Sequence, residues 1–282
     1  RPQSSRWYPG AGLYREVRLL ELAPVHVPVW GTQVLTPYVG KDYASVTLRT
    51  KLDGLKEGET VEIETAVRNA AGAVVATKTD RRQPAYGQPF EQHLTVDRPE
   101  LWSPETPALY TAESRVRVGG VEVDRYTTRF GIRTIEVRAD KGFFLNGELR
   151  PFKGVCLHHD LGPLGAAVNR AAIRRQLTML RDMGCNAVRT SHNMPAEALV
   201  ELCDEMGFMV MVEPFDEWEV AKCRNGYHRY FDEWVERDLV NMLHHFRNNP
   251  SVVMWSVGNE VPTQWEPEGY RMEILYHGTG KP

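Results

Sequence analysis

Polar side chains with catalytic potential follow four short apolar segments in the second half of this sequence. Segment by segment they are His158, His159 and Asp160; Arg189, His192 and Asn193; Glu213, Asp216, Glu217 and Trp218; and finally Asn259 and Glu260. Two carboxyl groups can act as a general acid and an opposing carboxylate, the combination that breaks glycosidic bonds. Amides, imidazoles and carboxylates bind sugar hydroxyls, and an indole stacks on the apolar face of a sugar ring. The residue types therefore favour chemistry on a carbohydrate.

The segments that carry these residues alternate with helical patterns, in the order β-α-β-α-β-α-β after residue 134. The predicted strands are "FKGVCL", "NAVRTS", "FMVMVEP" and "SVVMWSV", and the predicted helices are "NRAAIRRQLTMLRDMG", "PAEALVELCDEMG" and "YFDEWVERDLVNMLHHFRN". Short apolar strands joined by helices are typical of a parallel sheet in an α/β domain. The carboxyl ends of such strands meet at one face, where ligands bind. We therefore expect the four polar clusters to converge on one site.

Glu260 is the strongest candidate for a general acid. It follows the fourth strand, beside Asn259 and shortly after Trp255. We expect this setting to raise the pKa of the Glu260 carboxyl group enough for it to act as an acid. The residue chemistry leaves a second interpretation open, in which Glu260 forms a structural ion pair with Arg189 inside a barrel.

Two other kinds of site fit these residues less well. His158, His192, Glu213 and Glu260 could in principle bind a metal, as in a metal-dependent barrel amidohydrolase. Adjacent residues on a strand point to opposite faces, however, so only one of His158 and His159 can face the site. The first strand–helix loop, "GVCLHHDLGPLG", lacks the G-x-G-x-x-G spacing of a dinucleotide site. The sequence therefore predicts neither a metal nor a cofactor, and the amidohydrolase stays a weaker alternative.

The sequence before residue 134 has the character of a β domain. In "VEIETAV", which begins at Val61, apolar and polar residues roughly alternate, as they do in a half-buried strand. Turn signals at 69–72 and 119–120 separate six or seven short strands within 24–133, which predicts a β-sandwich. Residues 1–23, with "LYREVRLLEL", also look strand-like, and we interpret them as the end of a preceding β domain.

Composition and charge exclude several classes of protein. The 282 residues carry a net charge of −3 with scattered arginines, which indicates neither a nucleic-acid partner nor a membrane surface. No apolar stretch approaches the roughly 20 residues of a membrane span. The four cysteines form no C-x-x-C pair and are expected to be buried free thiols, with a disulfide left open. The first residues lack an initiator Met and a signal-peptide core, so we expect further sequence upstream. The oligomeric state stays open, as does the choice between a cytoplasmic and a periplasmic location.

Motifs spread over nearly the whole chain are similar to those of a known family. "SRWYPGAGLYREVRL", "LWSPETPALY", "RYTTRFGIRTIEV", "FFLNGELRPFKGVCLHHD", "GCNAVRTSHNMPAEALVELCDEMGFMVMVEPFDEW" and "RNNPSVVMWSVGNE" resemble segments of glycoside hydrolase family 2, the group of β-galactosidases, β-glucuronidases and β-mannosidases. The resemblance implies the end of a jelly-roll domain at 1–23, an immunoglobulin-like β-sandwich at 24–133, and the first half of a (β/α)8 TIM barrel at 134–282. It also implies hydrolysis with retention of anomeric configuration.

Matched position by position, the resemblance also implies roles for the polar residues. Glu260 in "GNE" would be the general acid/base, and Asn259 would bind the 2-hydroxyl group of the sugar. Arg189 would hold the carboxylates at the barrel mouth in place. The other expected substrate-binding residues are His158, His192, Asp160, Asp216 and Trp218. Some members bind magnesium through a Glu-x-His after the third strand, but "PFDEWEVAK" contains no histidine, so we carry over no metal.

The resemblance places the catalytic nucleophile, a second glutamate, on a later barrel strand. Only four of the eight β/α units fit before Pro282, and Glu213, Glu217, Glu266 and Glu268 do not stand where the family has its nucleophile. We therefore expect this polypeptide to hold half of the catalytic pair, and to be poorly stable and inactive on its own. "VRTSHNMP" and "FDEW" favour a β-galactoside as the substrate. The main alternative is a non-catalytic carbohydrate-binding protein.

Overall fold

The structure, a computed structural model, describes residues 12–85 and 87–261, and begins with a β-sandwich. The seven strands of the sandwich are β1 (Thr32–Val39), β2 (Tyr43–Thr50), β3 (Val61–Arg68), β4 (Val74–Arg82), β5 (Phe90–Asp97), β6 (Tyr110–Val118) and β7 (Val121–Phe130). They form one sheet in the order β1-β2-β5 and another in the order β4-β3-β6-β7, and all neighbouring strands are antiparallel. The predicted immunoglobulin-like sandwich is confirmed.

Side chains that alternate along the strands fill the space between the two sheets. In β3 every second residue from Val61 to Val67 is buried, and Leu48 of β2 and Phe130 of β7 pack in the same core as Val67. This alternation is the pattern that the sequence showed in "VEIETAV", and it stabilises the sandwich by removing apolar surface from water.

A small antiparallel sheet connects the sandwich to the rest of the chain. Its strands are β8 (Ile135–Arg138), β9 (Gly142–Leu145) and β10 (Glu148–Leu149), in the order β10-β9-β8. Phe143 and Leu145 pack against Trp102, which is fully buried, and against Met209. The indole of Trp102 also donates a hydrogen bond of 2.9 Å to the carbonyl oxygen of Asp204. This cluster anchors the sandwich to the second half of the chain.

Four parallel strands and three helices alternate from residue 154 onward, as the sequence predicted. The strands are β11 (Gly154–Leu157), β12 (Ala187–Thr190), β13 (Met209–Val212) and β14 (Val252–Trp255), and the helices are α1 (Arg170–Asp182), α2 (Glu197–Met206) and α3 (Phe231–Phe246). The strand order follows the chain, β11-β12-β13-β14, and every neighbouring pair is parallel. This is the first half of a TIM barrel, so that prediction is confirmed.

The helices are held by an apolar core and by local capping. Leu177 of α1, Leu202 of α2 and Phe246 of α3 are buried in one cluster against the strands. Asn169 caps α1, because its side-chain oxygen accepts a hydrogen bond of 2.9 Å from the backbone N–H of Ala172. Within the described ranges, no helix combines the length and the apolar character needed to cross a membrane.

Residues 12–23 form no strand, which contradicts the strand-like interpretation of that segment. A strand requires a hydrogen-bonded neighbour, and none of the described strands pairs with this stretch. Arg15 instead fixes it to the second half of the chain, by donating to the carbonyl oxygens of Met194 and Pro195 at 2.8 and 3.0 Å. Residues 1–11 of the predicted unit lie outside the described residues.

All four cysteines are free thiols. Cys203 and Cys223 are buried, as expected, whereas Cys185 is partly buried and Cys156 is exposed. Cys156 lies on the edge strand β11, opposite Arg189 and on the face away from the helices, since its neighbour Val155 packs into the helix-side core. The expectation of burial was therefore wrong for Cys156.

Candidate active site

Glu213, the residue directly after β13, is the centre of a hydrogen-bond network at the carboxyl ends of the parallel strands. It is only 1% exposed. Arg189 donates from Nε and Nη2 to Oε2 at 3.0 and 2.7 Å, and His192 Nδ1 lies 2.5 Å from Oε1. The hydroxyl group of Ser256 donates to Oε2 at 2.7 Å. Burial opposes the charge on Arg189, but the hydrogen bonds and charge of Glu213 outweigh it and raise the pKa of Arg189.

Asn259 connects this network to a second buried carboxylate, Asp216. Its Oδ1 accepts a hydrogen bond from Arg189 at 3.2 Å, and its Nδ2 donates to Asp216 Oδ1 at 2.8 Å. The carbonyl oxygen of Asn259 accepts from the indole of Trp218 at 2.9 Å, and its N–H donates to the carbonyl of Phe215 at 2.8 Å. Both the backbone and the amide of Asn259 are therefore fixed, with the amide oxygen turned to a cation and the amide nitrogen to an anion.

Lys222 bridges Asp216 and Glu260. Its Nζ lies 3.1 Å from Asp216 Oδ1 and 2.6 Å from Glu260 Oε2. The Glu260 side chain is 50% exposed, and Arg189 forms its ion pair with Glu213 instead. The structure therefore contradicts the alternative interpretation, in which Glu260 forms an ion pair with Arg189. It also leaves half of the Glu260 side chain exposed, although this residue follows an apolar strand. The physical reason is that β14 ends before the acid, and Glu260 lies in a turn of the chain with a φ of 52°.

Glu217 holds the loop that carries Lys222. Its carboxylate is buried and accepts three backbone N–H groups, from Lys222 at 2.7 Å, Cys223 at 3.1 Å and His228 at 3.0 Å. A Cβ atom at Gly226 would overlap the Glu217 carboxylate, so only glycine lets the chain pass this close. The carboxylate thereby fixes the backbone from which the Lys222 ammonium group reaches the site.

The polar residues after β11 divide between two sides of the sheet. The ring of His158 lies 5.1 Å from that of His192, edge to face, next to the network. His159 instead contacts the carbonyl of Ala166 through Nε2, at 3.1 Å, and burial lowers the pKa of His159, with help from the charge of a nearby arginine. Asp160 is exposed and lines a separate cavity beside α1. The structure therefore brings His158, but not Asp160, to the other predicted site residues. The strand β11 ends at Leu157, and the chain changes direction at His159, which has a φ of 54°.

An open cleft of about 540 Å³ lies beside the network. His192 and Asp216 line it from the barrel, and residues 12–17 line it from the N-terminal segment. The volume lies in the range of small-molecule sites. Glu260 is not among the lining residues, but Lys222 connects it to Asp216, so the acid stands next to the cleft rather than in its wall.

Most of the predicted site residues meet in one network. These are Arg189, His192, Asp216, Trp218, Asn259 and Glu260, with His158 in ring contact. Sequence reasoning did not select Lys222 or Ser256, and it considered Glu213 only as a metal ligand or a nucleophile. The position of Glu213 directly after an apolar strand was a usable signal, whereas a single lysine in a loop gave none. Across residues 12–85 and 87–261, no three His, Cys, Asp or Glu side chains are arranged to hold a metal ion.

The chain combines a β-sandwich with a TIM-barrel half that has buried carboxylates at its strand ends, and this combination matches known glycosyl hydrolase domains. Two family models match the chain: "Glycosyl hydrolases family 2" over residues 27–133, and "Glycosyl hydrolases family 2, TIM barrel domain" over residues 135–280. The chain belongs to glycosyl hydrolase family 2.

The chain is also similar to individual proteins, both in sequence and in solved structure. The chain is similar to Beta-galactosidase BoGH2A of Bacteroides ovatus, with 48% identity over 265 residues that cover 93% of this chain and 31% of the relative. It is 31% identical over 280 residues to the β-glucuronidase of Felis catus, covering 94% of this chain and 39% of that protein. A crystal structure of a glycosyl hydrolase family 2 member from Bacteroides cellulosilyticus matches with a TM-score of 0.86 and 36% identity, over 93% of this chain and 34% of that one. The chain thus spans about a third of the length of the curated relatives it matches.

Proposed function

We propose that this chain carries the acid/base half of a retaining β-glycosidase that cleaves terminal β-glycosidic bonds, with a β-galactoside as its substrate. The observation that supports this most is the continuous network of side chains from His192 to Glu260 along the edge of one cleft. The preference for a galactoside is supported by the relative with 48% identity, which is named a β-galactosidase.

Glu260 is the residue assigned to proton transfer. Its carboxyl group donates a proton to the leaving oxygen in the first half of the reaction, and its carboxylate then takes a proton from the attacking water. The nucleophile that forms the glycosyl-enzyme is a second carboxylate, which the family resemblance places on a later barrel strand than β14. Glu213 is unsuited to that role, since its two oxygens already accept hydrogen bonds from Arg189, His192 and Ser256.

Sugar recognition falls to the groups that line or adjoin the cleft. Asn259 binds the 2-hydroxyl group, and its amide is already oriented by Arg189 and Asp216. His192 and Asp216 offer further hydrogen-bonding groups to the other hydroxyls, since both line the cleft. A contact to the 2-hydroxyl that strengthens in the transition state contributes to the rate as well as to binding.

The test uses the intact protein, by which we mean the full-length gene product that contains these 282 residues. Its turnover of 4-nitrophenyl β-galactoside, β-glucuronide, β-glucoside and α-galactoside is measured, and the configuration of the first product is followed by proton NMR. We expect the β-galactoside to be the best substrate and the first product to keep the β configuration. Preferred turnover of the β-glucuronide would contradict the sugar assignment, and an inverted product would contradict the mechanism. Saturable binding of galactosides without turnover would favour the carbohydrate-binding alternative. The variant Glu219→Gln, which changes an exposed acid close in sequence, serves as the control for Glu260→Gln.

A further inference from the structure

The Lys222 ammonium group contacts both Glu260, the proposed acid/base residue, and Asp216, which lines the cleft. It lies within hydrogen-bond distance of both Glu260 and Asp216, at 2.6 and 3.1 Å, and the Lys222 side chain is 19% exposed. Glu260 itself is half exposed, whereas the Asp216 side chain is 7% exposed. The lysine therefore connects an outer carboxylate to a buried one.

Two features distinguish this contact from an ordinary surface ion pair, which contributes little because two long side chains must be ordered in water. First, the backbone of Lys222 is already fixed, since its N–H donates to the buried Glu217 carboxylate at 2.7 Å. Second, one ammonium group contacts two carboxylates, Asp216 and Glu260. Its position is therefore fixed from two directions, and it offsets the repulsion between the two negative charges. The arrangement is a preorganised bridge.

We propose that Lys222 is a positioning residue for Glu260: its ammonium group holds this carboxylate beside Asp216 and the cleft, and favours its ionised form. The catalytic part of this inference rests on the proposed function. The contacts from which it is drawn do not, because they join residues of the described chain whatever reaction it performs.

Within residues 12–85 and 87–261, the charged groups described around the bridge belong to one network. Lys222 faces Glu260 directly, and Asp216 faces Lys222 from the other side. Arg189 and Glu213 connect to the bridge through the amide of Asn259. Arg189 pairs with Glu213, and the amide links Arg189 to Asp216. Lys222 is thus a cation in direct contact with the Glu260 carboxylate, and an opposite charge at hydrogen-bond distance favours ionisation.

A consequence follows for the pH range of the reaction. The first half-reaction needs Glu260 protonated, so activity on the alkaline side ends where this group loses its proton. By favouring the ionised form, Lys222 moves that limit to lower pH, and it favours the base that activates water in the second half-reaction. Loss of the lysine is expected to extend activity to higher pH while loosening the position of the acid.

The direct test is a carbon-13 NMR titration of the glutamate side-chain carboxyl groups in the 282-residue chain, with the Glu260 signal assigned by its loss in Glu260→Gln. We expect Lys222→Met to raise the titration midpoint of Glu260 by about one pH unit, the lower end of the usual effect of an opposite charge, since Glu260 is half exposed. Lys222→Arg should keep the original midpoint. Lys41→Met, which removes an exposed lysine between β1 and β2, should change nothing. An unchanged or lowered midpoint in Lys222→Met would overturn the inference.

A second titration needs no substitution at Lys222, and so covers the case in which that variant does not fold. Salt screens a half-exposed ion pair, so the Glu260 midpoint of the unmodified chain should rise as sodium chloride increases from low to about 1 M. A midpoint that does not respond to salt would contradict the bridge.

Kinetics of the intact protein separate this inference from the proposed function. In Lys222→Met the alkaline limb of the kcat/KM profile should move to higher pH, while the acidic limb, which reports the nucleophile, stays in place. An alkaline limb that stays in place would contradict the inference even if the protein is a good β-galactosidase. Absence of glycosidase activity together with the expected NMR shift would overturn the proposed function and leave the Lys222 bridge standing.

Discussion

Arg189 and Glu213 form a bidentate ion pair in which Nη2 lies 2.9 Å from Oε1 and 2.7 Å from Oε2, while Nε lies 3.0 Å from Oε2. The pair joins the carboxyl ends of β12 and β13, and Arg189 Nη2 continues to the amide oxygen of Asn259. Because the planar guanidinium group fits the carboxylate through two parallel donors, it fixes the orientation as well as the charge of Glu213. The same contact therefore stabilises the barrel half and orients the amide of Asn259, which we propose to bind the sugar.

Replacement of Arg189 by Met is expected to lower the free energy of unfolding by about 3 kcal/mol or more. The change leaves the Glu213 charge buried without its main partner, and breaking one side of a buried pair carries that cost. Urea unfolding measures it. The matched control is Arg49→Met, which breaks an exposed pair with Glu91 and should cost less than about 1 kcal/mol. Equal effects of the two substitutions would contradict the assignment of Glu213 as a fully paired, buried charge.

Stability is also expected to fall between about pH 4 and pH 7 because of Asp204. Burial raises the pKa of this carboxyl group from 3.8 to about 6, and hydrogen bonds from Ser251 and Asn249 offset burial only in part. The folded state binds this proton more tightly than the unfolded state. The stabilisation is therefore complete below pH 3.8 and lost as the pH rises through about 6, amounting to about 3 kcal/mol.

The measurement for Asp204 is the free energy of unfolding from pH 4 to pH 7. In Asp204→Asn the decline across this range should shrink by about 3 kcal/mol, because the variant has no proton to lose. Asp182→Asn, at an exposed residue of α1, should keep the decline of the unmodified chain. Identical slopes for Asp204→Asn and the unmodified chain would show that this carboxyl group does not titrate as described.

Glu217→Ala should release the loop that carries Lys222. The substitution removes the acceptor for the backbone N–H groups of Lys222, Cys223 and His228, and an unsatisfied buried donor costs about 1–3 kcal/mol. Cleavage by a lysine-specific protease after Lys222 should become at least about tenfold faster. Glu219→Ala, at an exposed acid in the same loop, should leave the cleavage rate unchanged. Equal rates in the two variants would mean that Glu217 does not hold the loop.

The sequence was most informative where a periodic pattern decides the structure. The strands β11 to β14 and the helices between them follow from apolar runs and helical spacing, because each element must bury one side against the sheet. The convergence of His192, Asp216 and Asn259 follows from the geometry of parallel strands, whose carboxyl ends share one edge. These features needed no knowledge of long-range contacts.

Other features depend on contacts that no local pattern encodes. The bridge made by Lys222 depends on how the Glu217 carboxylate folds the loop, and the exposure of Glu260 depends on a turn of the chain after β14. Residues 12–23 have the apolar content of a strand, but a strand forms only beside a partner, and here Arg15 holds the segment against the barrel instead. Asp160 follows the expected strand, but the change of chain direction at His159 places it at a separate cavity beside α1.

The most direct measurement of the central claim compares Glu260→Gln with the unmodified intact protein on two β-galactosides, one with a phenol leaving group and one with 2,4-dinitrophenol. If Glu260 is the general acid, kcat/KM for the phenyl galactoside should fall by about a hundredfold to ten-thousandfold, whereas the dinitrophenyl substrate, whose leaving group needs no proton, should lose far less. Added azide should then restore turnover of the galactosyl-enzyme and give β-galactosyl azide. An equal loss on both substrates, or no loss on either, would contradict the assignment of Glu260 as the acid/base residue.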